Sequence, residues 1–258
     1  MEAGIRRKNS ETRFRRMNHA PPVPRIGTAG WGIDRNAADA FPGQGSGLER
    51  YAAVFGCVEI NSSFHRPHRH STWERWRDSV PVDFRFSVKL PKTITHERRL
   101  IDYAELLPPF LQQVALLGDK LAVLLVQLPP SLEFDASVVQ PFMAELATRC
   151  PALLACEPRH ASWFEPEADA LLAELKVARV AADPARVPAA AIPGGWPDLR
   201  YWRLHGSPVI YHSSYTGRIA GYAAQIAGVS GERWCIFDNT ASNAATGDAL
   251  ALQDSVCV

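Results

Sequence analysis

The chain has 258 residues and a formal net charge of +1, with 47% hydrophobic and 21% charged residues. This length accommodates a single α/β barrel or one two-layer domain. After residue 25 the chain has 21 basic and 25 acidic residues, a net charge of 21 − 25 = −4, which argues against nucleic-acid binding through overall charge. No apolar run approaches the roughly 18 residues of a membrane span, and no apolar secretory segment is visible at the N-terminus.

The first residues are basic and polar. Residues 1–25 carry seven Lys or Arg and two acids, without apolar periodicity. Residues 1–24 are therefore predicted to form a disordered tail, and Met17 is an alternative start. The tail is one candidate contact for nucleic acid. A second is the basic stretch 65–77, although Trp73 and Trp76 have the spacing of rings that pack inward.

From Ile26 onwards a short apolar run, turn residues and a helical pattern alternate. Apolar runs predict eight strands, at 26–31, 58–64, 84–90, 121–128, 153–157, 178–182, 201–204 and 233–237. Helical spacing predicts helices at 48–55, 71–77, 103–117, 137–148, 165–175, 217–227 and 244–252, with a capping box at 71–74. Pro and Gly within 184–197 indicate that the sixth helix is short or missing.

Eight strand-to-helix units of this size predict a (β/α)8 TIM-type barrel. A doubly wound open sheet is the alternative, but no Gly-rich phosphate loop marks a switch point. We expect one barrel domain over residues 25–252, between the N-terminal tail and a C-terminal tail of residues 253–258. Most of the apolar runs end in a polar residue, which is where barrels of this type carry their site.

Eight ordered motifs resemble the YecE-like family, a bacterial domain of unknown function (number 72), across about residues 25–252. They are IGTAGW at 26–31, VEINSSF at 58–64, FSVKLP at 86–91 with Thr95-His96, VQLPP at 126–130, EPRHASW at 157–163, ADP at 182–184, RLHG at 203–206 and FDNT at 237–240. The resemblance implies a TIM-type barrel related in shape to endonuclease IV and xylose isomerase, with no settled activity.

Polar residues at the strand ends are expected to converge on one lumen. Glu157 and Asp238 are expected to transfer protons, with His205 as the proton carrier. Lys89, Arg159 and Arg203 are expected to bind an anion, because guanidinium groups suit carboxylate and phosphate. The remaining predicted substrate contacts are Trp31, Glu59, Asn61, Gln127, Trp163, Asp183 and Asn239.

This set of residues predicts an enzyme, a hydrolase or lyase, whose partner is an anionic, phosphorylated or nucleic-acid-derived molecule. A barrel that binds a ligand or nucleic acid without chemistry is an alternative, and the same charges can also form a self-neutralised plug that fills the lumen. A membrane partner is not expected.

No cofactor is predicted. The alternative is an endonuclease-IV-like phosphoesterase with a divalent metal, for which the candidate ligands are His65, His96, His160 and His205 with Glu157 or Asp183. His68, His70 and His212 are expected to be exposed. Five cysteines without a C-x-x-C pair predict free thiols and a cytoplasmic setting.

Overall fold

The computed structural model describes residues 23–256. Its strands are β1 Arg25–Thr28, β2 Cys57–Ile60, β3 Arg85–Lys89, β4 Leu121–Gln127, β5 Leu153–Glu157, β6 Val177–Arg179, β7 Ala181–Asp183, β8 Gly194–Gly195, β9 Leu199–Leu204 and β10 Glu232–Phe237. Its α-helices are α1 Gly47–Ala52, α2 His70–Asp78, α3 Leu107–Val114, α4 Ala136–Arg149, α5 Pro166–Glu174, α6 Ile219–Ala227 and α7 Ala244–Val256. The predicted tail up to residue 22, with Met17, lies outside the described residues.

Parallel pairing joins the strands into a ring. Two hydrogen-bonded sheets have the orders β1-β10-β9-β7 and β2-β3-β4-β5-β6-β8. They meet between β1 and β2, where Gly30 N–H donates to the Glu59 carbonyl (2.8 Å), and at Val180, the residue between β6 and β7. If β6 and β7 count as one interrupted strand, eight parallel strands within residues 23–256 form the predicted TIM-type barrel. The short β8 pairs antiparallel with β6.

The close approach of β1 to β2 requires glycine at position 27. A Cβ atom at Gly27 would lie 2.4 Å from the Cys57 carbonyl oxygen, closer than any side chain tolerates. Cys57 is one of four buried free thiols among the described residues, while Cys257 lies outside them.

Two apolar cores flank the ring of strands. The larger core lies between strands and helices, and the smaller one fills the lumen with Cys57, Val123, Leu125, Ala155, Ala178, Val180, Leu199, Tyr201, Trp234 and Ile236. Side chains alternate between the two faces of a strand. Residues two positions further along the same strands, such as Arg203 after Tyr201, therefore continue the lumen towards the C-terminal ends of the strands.

The predicted capping box at 71–74 is wrong. Helix α2 begins at His70, and its N-cap residue Arg69 makes no side-chain cap hydrogen bond. A capping box is present at α1 instead, where Glu49 N–H donates to Ser46 Oγ (3.3 Å) and Ser46 N–H donates to the Glu49 carboxylate (2.7 Å). The serine there precedes the first helical residue, which is the position that capping requires.

Other predicted boundaries shift where the chain turns locally. The second strand ends at Ile60, because residues 62–64 form a 3-10 turn. Helix α7 continues to Val256 rather than ending at Leu252, and Gln253 Nε2 within it donates to the Val54 carbonyl (3.2 Å). The sixth helix is short, as predicted, since only a 3-10 turn, Pro188–Ala191, stands there. No helix within residues 23–256 is both long and apolar enough to cross a membrane.

Replacing Ser46 by Ala is expected to lower the free energy of unfolding by about 1 kcal/mol, because Glu49 N–H loses its cap. Ser71→Ala is the matched control and should change it by less than about 0.5 kcal/mol, because that serine caps nothing. Urea unfolding followed by circular dichroism measures both values. Equal losses for the two variants would contradict the position of the capping box.

Candidate functional site

The barrel mouth consists of the polar side chains at the C-terminal ends of the strands. We define it as Glu59, Asn61, Lys89, Gln127, Glu157, Arg159, Arg203, His205 and Asp238. Nine of the thirteen residues predicted for the site are thus brought to one end of the barrel.

Arg203, on β9, is the fully buried centre of the mouth. Its Nε and Nη2 donate to the two carboxylate oxygens of Glu59 (3.0 and 2.7 Å). Nη1 donates to Glu157 (2.5 Å), and Nη2 donates also to Asp238 (3.0 Å). The predicted anion-binding role does not fit Arg203, because three carboxylates already share its charge.

Glu157 and Asp238 hold the imidazole of His205 between them. His205 Nε2 lies 3.1 Å from Glu157 Oε1, and Nδ1 lies 3.0 Å from Asp238 Oδ2. An ionised carboxylate only accepts hydrogen bonds, so both ring nitrogens carry a proton and His205 is an imidazolium. The three residues predicted to be catalytic are therefore in direct contact.

Burial and charge act in opposite directions on the pKa values of these groups. Burial would raise the pKa of Glu157, but Arg203 and His205 lower it well below its usual range. Burial likewise raises the pKa of Asp238, but Arg203 and His205 lower it by more, so the pKa falls below its usual value. Burial lowers the pKa of His205, whereas Glu157 and Asp238 raise it, with a net increase. The charges within this group thus favour the ionised form of both carboxylates and the protonated form of His205.

The two carboxylates of this group differ in how many hydrogen bonds they accept. Glu157 accepts four, among them those from Gln127 Nε2 (3.2 Å) and Arg159 Nε (3.0 Å). Asp238 Oδ1 accepts only a long hydrogen bond within the described residues, from Asn61 Nδ2 (3.3 Å). Asp238 therefore keeps the more available lone pairs.

Tyr201 and Ser87 belong to the same network, although they were not predicted as site residues. Tyr201 Oη lies 2.9 Å from Glu59 Oε2 and 2.9 Å from Ser87 Oγ. Tyr201 lies two residues before Arg203 on β9 and therefore shares its strand face. This period of two is the sequence signal that would have predicted Tyr201 as a site residue. Glu59 is fully buried and holds Arg203 and Tyr201 in position rather than facing a substrate.

Lys89, the last residue of β3, stands apart from these ion pairs. Its Nζ lies 4.0 Å from the centroid of the Phe64 ring and has no hydrogen bond or ion pair within residues 23–256. Burial and then the charge of Arg203 lower the pKa of Lys89 to about 8, against the opposing effect of the three carboxylates. Lys89 is thus a nearly buried cation without an ion pair among the described residues.

Arg159 lines a cavity of about 270 Å³ together with Glu157, His205, Arg186 and Ile210. Its Nε donates to Glu157, whereas its two terminal nitrogens have no hydrogen-bond partner among the described residues. These N–H groups are free to bind a carboxylate or phosphate.

The mouth carries a net positive charge. Glu59, Glu157 and Asp238 contribute three negative charges, and the four positive charges come from Lys89, Arg159, Arg203 and the protonated His205. The difference of 4 − 3 = +1 favours an anion at the open end of the barrel.

Asp183 lies outside the lumen, contrary to its predicted role in the site. It pairs with Arg218 and accepts hydrogen bonds from Tyr222 Oη (2.6 Å) and Tyr215 Oη (3.1 Å). Asp183 follows the lumen residue Val180 by three positions, an odd number, so its side chain lies on the opposite face of the strand and points towards helix α6. The carboxylate of the predicted metal ligand Asp183 thus faces away from the mouth, although its backbone carbonyl accepts a hydrogen bond from His205 N–H (2.8 Å).

Asn239 is also directed away from the lumen. Its Nδ2 donates to Asp248 Oδ2 (2.7 Å) and to the Ser213 carbonyl (3.0 Å). The side chain next to it, Asp238, takes the lumen face, because consecutive residues alternate. Asn239 ties the end of β10 to helix α7 and does not contact the mouth.

The predicted aromatic contacts Trp31 and Trp163 lie elsewhere too. Trp163 is fully buried, donates from Nε1 to the Leu132 carbonyl (2.9 Å) and lines a separate cavity of about 700 Å³. Trp31 packs edge-on against Trp76, with 5.1 Å between ring centroids. Both rings serve packing outside the lumen, because apolar rings are stabilised by burial.

The rings of the basic stretch 65–77 are not available for stacking on bases. Trp73 and Trp76 are buried, which confirms the prediction that they pack inward. His68 was expected to be exposed, but it packs edge-on against both rings and its Nε2 lies 2.9 Å from Ser62 Oγ. His70 is exposed as predicted, and His212 is exposed as well.

The histidines considered as metal ligands are dispersed. His65 is exposed, His96 packs edge-on against Phe64, and His160 caps the turn Ala161–Phe164. Only His205 is part of the mouth. Between residues 23 and 256, no three His, Cys, Asp or Glu side chains are grouped so that they could hold a metal ion.

A sequence model of the family described as "Protein of unknown function DUF72" matches residues 25–257. YecE of Escherichia coli K12 is 35% identical to the chain over 82 residues, which are 32% of the chain and 30% of YecE. YunF of Bacillus subtilis 168 is 29% identical over 149 residues, which are 55% of the chain and 52% of YunF. The matched stretches thus span about half or less of these curated relatives.

Solved structures share the fold over most of the chain. A DUF72 family protein from Thermotoga maritima has a TM-score of 0.75 at 23% identity, covering 92% of this chain and 100% of that one. A DUF72 family protein from Enterococcus faecalis V583 has a TM-score of 0.73 at 20% identity, covering 92% and 96%. The 3-keto-L-gulonate-6-phosphate decarboxylase of Vibrio cholerae has a TM-score of 0.51 at 10% identity, covering 92% and 98%. At these identities the likeness concerns the fold alone.

Replacing Arg203 by Met is expected to lower the free energy of unfolding by about 3–5 kcal/mol, because three buried carboxylates lose their counter-charge. The control is Arg149→Met, which removes an exposed pair with Glu145 (2.9 Å) within one helix and should cost about 0.3–0.5 kcal/mol. Urea unfolding gives both values. A loss of less than about 1 kcal/mol for Arg203→Met would show that the mouth does not depend on this guanidinium.

Proposed function

Because this chain belongs to the DUF72 family, whose function is described as unknown, we propose a function from the barrel mouth itself. We propose an enzyme that performs acid/base chemistry, hydrolytic or lytic, on an anionic small molecule. One observation carries this proposal: at a mouth of net positive charge, Lys89 Nζ has no ion pair and the terminal nitrogens of Arg159 have no hydrogen-bond partner among the described residues. A nearly buried cation without an ion pair, such as Lys89, is costly, and an anionic substrate offsets that cost.

Substrate binding is assigned to Lys89, Arg159 and Asn61. The cavity of about 270 Å³ beside Arg159 has room for a compact molecule such as a sugar phosphate or a small organic acid. Asn61 Oδ1 is enclosed and has no hydrogen-bond partner among residues 23–256, so it can accept a hydrogen bond from a substrate hydroxyl.

Proton transfer is assigned to Asp238. Its Oδ1 accepts one long hydrogen bond only, and this oxygen can take a proton from water or from the substrate. His205 donates to Oδ2 of the same carboxylate and holds it in place (3.0 Å). Glu157, which accepts four hydrogen bonds, keeps His205 charged and has little capacity to accept a proton itself.

A barrel that binds the anion without chemistry is the second candidate. Two observations favour this candidate. Both ring nitrogens of His205 already contact carboxylates, and the oxygens of Glu157 already accept several hydrogen bonds, so neither group is free to exchange a proton with a substrate. The two candidates share the anion site and differ in turnover alone, so binding and turnover have to be measured separately.

Replacing Lys89 by Met is expected to stabilise the protein at pH 7 by on the order of 1–3 kcal/mol and to abolish binding of inorganic phosphate. The pKa of folded Lys89 is about 8, below the value of about 10.4 for an unfolded lysine. Below pH 8, burying the protonated Lys89 therefore lowers the free energy of unfolding by its full amount. This cost disappears as the pH rises from 8 to about 10.4. The stability gain should vanish over the same range.

Urea unfolding at pH 7 and pH 10 measures the stability of this variant, and titration calorimetry measures phosphate binding. Lys92→Met is the matched control, because Lys92 is exposed and pairs with Glu97 (3.1 Å). A Lys89→Met protein that is less stable at pH 7 and binds phosphate like the wild type would refute the anion site.

Replacing Asp238 by Asn is expected to lower kcat by about 10²–10⁴-fold, because the proton acceptor is lost, with little change in phosphate binding. The substrate for this measurement comes from incubating the wild-type protein with phosphate monoesters, sugar phosphates and small organic acids and detecting products by mass spectrometry. Asp78→Asn, at an exposed carboxylate, is the control. Unchanged kcat would exclude Asp238 as the base, and phosphate binding without any product would favour the second candidate.

A further inference from the structure

We propose that Lys89 forms a covalent imine with the carbonyl group of an anionic aldehyde or ketone bound at the barrel mouth. This inference rests on the anion site of the proposed function and narrows its substrate class to carbonyl compounds that carry a carboxylate or a phosphate. The amine would then take part in the reaction itself, in addition to attracting the anion.

The geometry of the mouth leaves Lys89 free to react. The carboxylates that could pair with Lys89 are Glu59, Glu157 and Asp238, and all three accept hydrogen bonds from Arg203. Glu157 and Asp238 are also in hydrogen-bond contact with His205. Lys89 Nζ is left over the Phe64 ring, at 4.0 Å from its centroid, without an ion pair within residues 23–256. A lysine that only neutralised the cluster would be expected in contact with a carboxylate.

Lys89 and Arg159 lie at the same end of the barrel, because Lys89 ends β3, Arg159 follows β5, and both strands pair in parallel with β4. His96 has a pKa lowered to about 4, first by burial and then by the charges of Lys89 and Arg159. Lys89 and His96 also share a contact with the Phe64 ring, whose centroid lies 4.0 Å from Lys89 Nζ and 4.9 Å from the centroid of His96. An anionic group bound to Arg159 would be held at the end of the barrel where Lys89 stands.

Burial also supplies the neutral amine that the reaction needs. With a pKa of about 8, about a tenth of Lys89 is neutral at pH 7, compared with less than about 0.1% of an ordinary exposed lysine. A lysine desolvated in this way is the usual form of a nucleophilic amine in enzymes.

The chemistry requires no further reactant. The Nζ lone pair forms a bond to the carbonyl carbon, the π pair moves to the carbonyl oxygen, and that oxygen takes up a proton while Nζ releases one. The hydroxyl group then takes a proton and leaves as water, which gives a protonated imine. Hydrolysis consumes one water and restores the amine and the carbonyl. In between, the imine can accept the electron pair of a neighbouring C–H or C–C bond, which suits a lyase.

The other described lysines lack this setting. Lys92 pairs with Glu97 (3.1 Å), Lys120 Nζ donates to two backbone carbonyls (2.6 Å each), and Lys176 is exposed. The chain has five lysines in all, the fifth being Lys8. Each of them provides an internal reference for the reactivity of Lys89.

The test uses glyoxylate, an anionic aldehyde, with sodium cyanoborohydride, which reduces the imine to a stable carboxymethyl-lysine. The full-length protein is labelled at pH 7 and the modified lysines are quantified by peptide mass spectrometry. We expect Lys89 to react at least about tenfold faster than Lys92, in line with its larger neutral fraction. Labelling of Lys89 should decrease in Arg159→Met and with propanal, an uncharged aldehyde.

Equal labelling rates at Lys89 and Lys92 in the wild-type protein would overturn the imine. Calorimetric titration with glyoxylate in the absence of reductant then separates the two proposals. Saturable binding that is lost in Arg159→Met would leave the anion site of the proposed function standing, whereas the absence of saturable binding would remove both. Lys89→Arg, which keeps the charge, should bind glyoxylate and lose only the label at position 89.

Discussion

A single guanidinium allows three carboxylates to be buried at the end of this barrel. Arg203 on β9 contacts Glu59 from β2, Glu157 from β5 and Asp238 at the end of β10. Without it, like charges in a low-dielectric interior would repel one another and take up protons instead. The same contacts connect β9 with β2, β5 and β10, so the charge balance of the mouth depends on one side chain.

The remaining properties of the mouth follow from this arrangement. Because Arg203 and His205 engage the carboxylates, Lys89 has no ion-pair partner within residues 23–256 and Arg159 keeps two nitrogens free. A mouth that was only a plug would be expected to neutralise all of its charges internally. Here the balance is incomplete by one positive charge, and the unpaired groups lie at the open end. This asymmetry between a saturated interior and an unsaturated rim is the physical basis for proposing an anion site.

The sequence predicted the eight strands well, because each is a short apolar run bounded by turn residues. It also predicted that Glu157, His205 and Asp238 would meet, since strand ends of a barrel share one edge. The predicted site roles of Asp183 and Asn239 were wrong, because they were based on position at a strand end and did not consider that consecutive side chains alternate between the two faces of a strand. The prediction for Trp163 was wrong as well, because a ring that follows a strand can pack beneath a loop as readily as it can face the lumen.

By itself, the sequence determined the order of strands and helices, the barrel fold and the set of polar residues at its mouth, since these depend on local periodicity and on residue type. The tertiary structure alone decided which of those polar groups neutralise each other. That outcome depends on distances of about 3 Å between side chains far apart in the chain, such as Glu59 and Arg203 (2.7 Å). It therefore separates the buried support, Arg203, from Lys89, which has no ion pair among the described residues, and from Arg159, which uses only Nε in its pair with Glu157.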